Sequence, residues 1–193
     1  PLVAIYTAHS DARKIQAQSI AFSLDKGRTF TKYSKNPVLD LNLQHFRDPK
    51  VFWDSERGNW VMVVVKANEK KVAIYTSPNL ISWEHQSDFG PLAAQGGDWE
   101  CPDLIQLPID GDKTKKSWVM IVSLNPGGIE GGSGTQYFVG DFDGKNFKPS
   151  QDYEKPQWID YGKDNYAGVT WGNTPIGDGR RMMMGWMSNW EYA

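Results

Sequence analysis

Two short segments carry the residues best equipped for chemistry: His45-Phe46-Arg47-Asp48-Pro49-Lys50-Val51-Phe52-Trp53 and Trp99-Glu100-Cys101-Pro102-Asp103-Leu104-Ile105. Each sets an acidic residue one or two places before a proline that leads into an apolar strand. Two carboxylates converging on one pocket can cleave a glycosidic bond, one protonating the leaving oxygen and the other handling charge or attack at the anomeric carbon. The neighbours fit that division of labour. Arg47 favours an ionised Asp48, Trp99 and Cys101 give Glu100 a less polar setting, and a cation lowers a carboxyl pKa where desolvation raises it. The expectation is an ionised Asp48 beside a Glu100 that stays protonated near neutral pH. Either site alone reads equally well as a turn cap or a local salt bridge. Their recurrence at matched points favours chemistry.

The elements that must position them are strands. Apolar or alternating runs fall over 2–7, 19–23, 50–53, 60–65, 72–76, 104–107, 118–123, 137–142 and 181–186, with no helical period between them. Turn clusters separate the runs, as in Asp25-Lys26-Gly27, Ser55-Glu56-Arg57-Gly58-Asn59 and Asp143-Gly144-Lys145. The chain reads as all-β, its first residues as a buried strand. Pro49-Lys50-Val51-Phe52 returns as Pro102-Asp103-Leu104-Ile105, and Trp60-Val61-Met62-Val63 as Trp118-Val119-Met120-Ile121. A third feature couples a strand to a later aromatic: Ile20-Ala21-Phe22-Ser23 to Phe30, Ile74-Tyr75-Thr76-Ser77 to Trp83, and Phe138-Val139-Gly140-Asp141 to Phe147. A four-stranded unit repeating at roughly fifty residues predicts a partial β-propeller of about three to four blades. A β-sandwich is the alternative, although it does not require whole four-stranded units to recur. In a propeller the innermost strands line one axis, which would bring Asp48 and Glu100 to the same mouth on neighbouring blades.

A net charge of -2, from 21 basic and 23 acidic residues interspersed, leaves no electrostatic footprint for nucleic acid or a membrane surface. A neutral substrate suits that balance. No apolar run approaches the roughly 18 residues that span a bilayer. The single Cys101 excludes an intrachain disulfide, and His9, His45 and His85 lack ligand spacing, so neither a metal nor a cofactor is expected. The glycine-rich stretch 127–134 lacks the lysine and helix of a phosphate loop and reads as a flexible rim loop. Asp11 and Asp25 belong to a polar loop and a turn. Most tryptophans belong in blade cores, with Trp99 and Trp186 as candidate sugar platforms.

On these residues the chain resembles glycoside hydrolase family 32, the invertases, exo-inulinases and levanases. The resemblance rests on Phe46-Arg47-Asp48-Pro49 and Trp99-Glu100-Cys101-Pro102. It continues through Gln18-Ser19-Ile20-Ala21-Phe22-Ser23-Leu24-Asp25, Asn125-Pro126-Gly127-Gly128, Gly134-Thr135-Gln136-Tyr137-Phe138-Val139-Gly140, Asp164-Asn165-Tyr166-Ala167 and Gly185-Trp186-Met187-Ser188-Asn189-Trp190. Ala94-Gln95-Gly96-Gly97-Asp98-Trp99 is most similar to the exo-inulinase branch. The resemblance implies a five-bladed propeller followed by a β-sandwich, secretion, and release of terminal β-fructofuranosyl units from fructans or sucrose with retention. It implies Glu100 as general acid/base, Asp48 as stabiliser of the oxocarbenium-like transition state and Arg47 as a fructose-binding neighbour. Cys101 would tune the acid/base, and Tyr166 and Trp186 would line the fructose pocket.

The family's nucleophile is an Asp in an Asn-Asp-Pro motif, and that motif does not occur in residues 1–193. The resemblance therefore implies that 1–193 is an interior part of one catalytic propeller domain, inactive alone, with the nucleophile blade and the sandwich outside it. Such an arc has open strand edges and is expected to associate or to be partly disordered. Fructosyl transfer and fructan binding without catalysis stay open as alternatives. So does a protein-interaction propeller, which should lack the Arg47, Asp48 and Glu100 cluster.

Overall fold

A computed structural model describes residues 1–172 and 180–193. The first sheet holds β1 (Leu2–Ser10), β2 (Ile15–Ser23), β3 (Thr31–Lys32) and β4 (Leu39–Leu43). The second holds β5 (Phe46–Asp54), β6 (Asn59–Lys66), β7 (Lys71–Ser77) and β8 (Glu84–Phe89) in that order. The third holds β9 (Asp98–Ile109), β10 (Asp112–Asn125) and β11 (Gly134–Phe142), whose outer edge carries β12 (Phe147–Pro149) and β13 (Gln157–Trp158). The fourth pairs β14 (Tyr166–Thr170) with β15 (Met183–Trp186). Every pairing is antiparallel. A 3-10 turn at Ala67–Glu69 is the one helical element among the described residues.

The sheets stack as blades of a partial β-propeller. Contacts run from β1 to β5, from β5 to β9 and from β9 to β14. The continuous apolar run in β6 has a direct cause, since both faces of the second sheet are covered. Val61, Val63 and Val65 face a core shared with Leu104, Met120, Val122 and Phe138 of the third sheet. Met62 and Val64 face the other way, with Phe46 and Tyr75, against Ile5, Leu39 and Leu43 of the first sheet. Alternation puts every second side chain on the opposite face, so a strand between two blades is apolar throughout.

Two expectations need correction. β1 is not buried: Leu2 is 54% exposed and Val3 40%. It pairs with β2 alone among the described strands. The recurring aromatic pattern matches β2 with β7 and β11, which makes β1 the counterpart of β6 and β10. Its open edge therefore lies on the side that β5 and β9 cover in the second and third sheets.

The second correction concerns the prolines, which do not precede the inner strands but interrupt them. Arg47 pairs with Val65 and Lys50 with Val63, which leaves Asp48 and Pro49 opposite one residue. Glu100 pairs with Ser123 and Asp103 with Ile121, which leaves Cys101 and Pro102 opposite one residue. Both are β-bulges, where a proline costs no ladder hydrogen bond. A third bulge, without a proline, sets Ala167 and Gly168 between the Tyr166–Trp186 and Val169–Met184 pairs. The first bulged residue has positive φ in all three: 61° at Asp48, 46° at Cys101 and 54° at Ala167.

Candidate active site

The three bulges re-aim the residues just before them toward one another. Arg47, Glu100 and Tyr166 occupy that position on β5, β9 and β14, and they touch. The Arg47 guanidinium donates to Glu100 Oε1 through Nε at 3.3 Å and Nη2 at 3.0 Å, and the Tyr166 hydroxyl donates to Glu100 Oε2. Both oxygens of one carboxylate are thus held by donors from its two neighbouring blades. Tyr166 is 2% exposed. Burial and then the Glu100 carboxylate push its phenol pKa well above the ordinary value. It therefore remains a neutral donor.

The bulged residues form a second layer. Asp48 Oδ2 accepts the Cys101 backbone N–H at 3.1 Å, with Cys101 Sγ at 3.8 Å. Thr7 of β1 accepts the Asp48 backbone N–H at 3.0 Å and donates its hydroxyl to Gln18 of β2 at 3.0 Å. Gln18 is fully buried and donates to the Phe46 carbonyl at 2.8 Å, which fixes the start of β5. The first sheet thereby braces Asp48.

The electrostatics differ from the sequence-based expectation. Arg47 Nε lies 3.9 Å from Asp48, and its closer partners are Glu100 and Asp98, the latter at 3.0 Å from Nη2. Burial raises the Asp48 pKa, and the attraction of Arg47 and the hydrogen bond from Cys101 do not offset it; the Glu100 charge raises it further. Arg47 favours the ionised Asp48, as expected, but does not outweigh the effect of burial. Cys101 touches Asp48 instead of the Glu100 side chain, and burial followed by the two carboxylates pushes its thiol pKa up to about 12. The Arg47 pKa is raised despite its burial, because Asp98 and Glu100 hold the charge.

Trp99 is not a sugar platform. It is fully buried, donates its indole N–H to the Ala94 carbonyl at 2.9 Å and packs against Phe89 and Phe138. Alternation along β9 turns it away from Glu100 and, by the same rule, puts Asp98 on the side of Glu100. That signal was available in the sequence and identifies Asp98, which the motif reading passes over. Trp186 is 37% exposed, pairs with Tyr166 across β14 and β15, and meets the Trp190 ring at a 56° tilt with 5.0 Å between centroids. The rim loop is pinned: buried Asn189 donates to the carbonyls of Gly131, Ser133 and Lys163 and accepts the Ser133 N–H.

Among the described residues no group of three or more His, Cys, Asp or Glu side chains is placed to hold a metal ion. A groove of about 530 Å³ lies against the third and fourth sheets, is lined in large part by Ile105, Val119, Ile121, Val139 and Met183, and includes neither Asp48 nor Glu100. The chemistry sits where the bulges meet.

Comparison with known proteins points the same way. The model of the glycosyl hydrolases family 32 N-terminal domain matches residues 1–193. The levanase of Bacillus subtilis strain 168 is 53% identical over 195 residues, which cover 100% of this chain and 28% of that protein. The extracellular exo-inulinase of Aspergillus niger is 45% identical, across 100% of this chain and 40% of its own length. The fructofuranosidase of Schwanniomyces occidentalis complexed with fructose superposes with a TM-score of 0.90 at 46% identity, over 99% of this chain and 36% of that one. The chain thus spans well under half the length of these relatives.

Proposed function

Because the chain belongs to glycosyl hydrolase family 32, we propose that the protein carrying it hydrolyses fructans or sucrose, releasing terminal β-fructofuranosyl units with retention. The observation that carries this reading is Glu100, gripped on both oxygens by Arg47 and Tyr166, with Asp48 on the adjoining inner strand. In the first step the C–O bond breaks as Glu100 gives a proton to the leaving oxygen and an attacking carboxylate takes the anomeric carbon. In the second, Glu100 takes a proton from water as its oxygen bonds to the anomeric carbon, the bond to the attacking carboxylate breaks and fructose is released. Arg47 and Tyr166 suit the first step, because each donor stabilises the carboxylate that proton transfer leaves behind, and they keep that carboxylate oriented for the second.

Asp48 accepts hydrogen bonds from sugar hydroxyls that strengthen as positive charge develops on the ring. The attacking carboxylate is assigned to a part of the protein outside these residues. Two facts support this: no Asn-Asp-Pro occurs in 1–193, and Asp98, the further carboxylate beside Glu100, is engaged by Arg47. The exposed Trp186 and Trp190 offer apolar faces to a sugar ring. An extracellular site of action is proposed because the Aspergillus niger relative is extracellular.

The test is fructose release from sucrose and inulin by the full-length protein and by its Glu100→Ala variant. Release by the native protein and none by the variant is the expected result. A native protein that releases no fructose from either sugar overturns the reading.

A further inference from the structure

Below the carboxylates the inner strands meet a second time. Asp103 of β9 is fully buried, and its Oδ2 accepts the backbone N–H of Thr170 on β14 at 2.7 Å and the Thr170 hydroxyl at 2.6 Å. The same oxygen lies 3.3 Å from Lys50 Nζ on β5, and Lys50 donates in turn to the Thr170 carbonyl. One residue from each inner strand closes a triangle. Lys50 and Asp103 hold the same place, the first residue past each bulge. At roughly 3.3 Å per ladder step, two steps on β5 and β9 and three on β14, the triangle lies about 7–10 Å along the strands from Arg47, Glu100 and Tyr166.

Inner strands of neighbouring blades belong to different sheets, so no backbone ladder sets their relative height. Side chains must do it. The height of Tyr166 against Glu100 therefore depends on whatever ties β14 to β9. A hydrogen bond weakens steeply as its angle closes, so a small slip of β14 removes the Tyr166 contact. Apolar packing could join the strands at less desolvation cost than a buried carboxylate. Hydrogen bonds add direction, fixing distance and angle where apolar surfaces can slide.

We propose that Asp103, with Lys50 and Thr170, is a positioning group for the reaction. It sets the height of β14 and β5 against β9 and so keeps Tyr166 and Arg47 on the oxygens of Glu100. This role rests on the reading of Glu100 as proton donor.

The test compares Asp103→Asn, Thr170→Val and Thr170→Ser in the full-length protein on sucrose, with folding checked by calorimetry and circular dichroism. Valine keeps the shape of threonine and the backbone N–H but removes the hydroxyl, which serine restores. Asp103→Asn and Thr170→Val are expected to lower kcat about tenfold with KM within about twofold, the pattern of a loss confined to the transition state. Thr170→Ser is expected to stay within about twofold of native in both constants. The role is overturned if kcat falls only in proportion to the folded fraction, if serine is as impaired as valine, or if KM rises with kcat unchanged. Should Asp103→Asn fail to fold, the valine and serine pair decides. A native protein without fructose release sinks the glycosidase reading, whereas an active native protein with an unimpaired valine variant sinks only the positioning role.

Discussion

The bulges of β5 and β9 have the same backbone and opposite chemistry. Each leaves two residues opposite one valine, Val64 in the first case and Val122 in the second, and each opens on a residue with positive φ. Yet the residue before the bulge is Arg47 on one strand and Glu100 on the other, and the bulged residue is Asp48 on one and Cys101 on the other. Like positions meet across the blades, so Arg47 pairs with Glu100 and Asp48 with Cys101. The repeat does not duplicate a carboxylate. It sets complementary groups face to face, and β14 extends the first pair with a neutral donor, Tyr166.

Breaking Glu100, the proposed acid–base member of the comparison, should have the largest effect. Glu100→Gln keeps the shape and removes the proton, and kcat of the full-length protein is expected to fall about 10²–10⁴-fold, read from initial rates on sucrose. Asp48→Asn, one position further along the equivalent strand, is expected to cost about 10²–10³-fold in kcat with a smaller change in KM. The same variant should alter stability in the opposite direction. A carboxyl whose folded pKa is raised favours the fold while it stays protonated below its unfolded pKa, and that contribution is lost as pH rises through the folded pKa. The Tm of Asp48→Asn relative to native should therefore climb between acid and neutral pH, and calorimetry across that range tests the slope.

Smaller effects test the backbone half of the comparison. Cys101 holds φ at 46°, a region that β-branched side chains resist. Cys101→Val is expected to destabilise the protein by about 1–3 kcal/mol through this strain, measured by denaturant unfolding. Cys101→Ser, which keeps an unbranched polar side chain, should unfold at nearly the native midpoint. In the native protein the thiol, pushed up to about 12, should resist iodoacetamide at pH 8 until the fold is opened. Rapid alkylation of the folded protein would show that burial and the Asp48 and Glu100 carboxylates do not keep the thiol protonated.

Much of the architecture is legible in the residues. The returning Pro-x-apolar segments mark β5 and β9, the returning Trp-Val-Met segments mark β6 and β10, and the strand-plus-aromatic segments mark β2, β7 and β11. The polar edge strand β8 escapes this reading, because Glu84-His85-Gln86-Ser87-Asp88-Phe89 buries only its last residue fully and carries no apolar alternation. The bulge on β14 also escapes it, since Tyr166-Ala167-Gly168 lacks the proline that signals the other two. Trp99 and Asp98 could have been assigned by strand alternation. The motif instead treats neighbours in sequence as neighbours in space, which a strand forbids.

Sequence alone determined the all-β repeat, because hydrophobic period and turn chemistry are local, and it singled out Arg47, Asp48 and Glu100; Tyr166 came only with the family resemblance and Asp98 not at all. It could not determine which group each charge faces. Arg47 adjoins Asp48 in the chain but serves Glu100 and Asp98, and Asp48 is governed by burial more than by its cationic neighbour. Those outcomes depend on how three strands from different sheets stand against one another. Their relative height is set by side chains such as Lys50, Asp103 and Thr170, whose contacts exist only once the blades have packed.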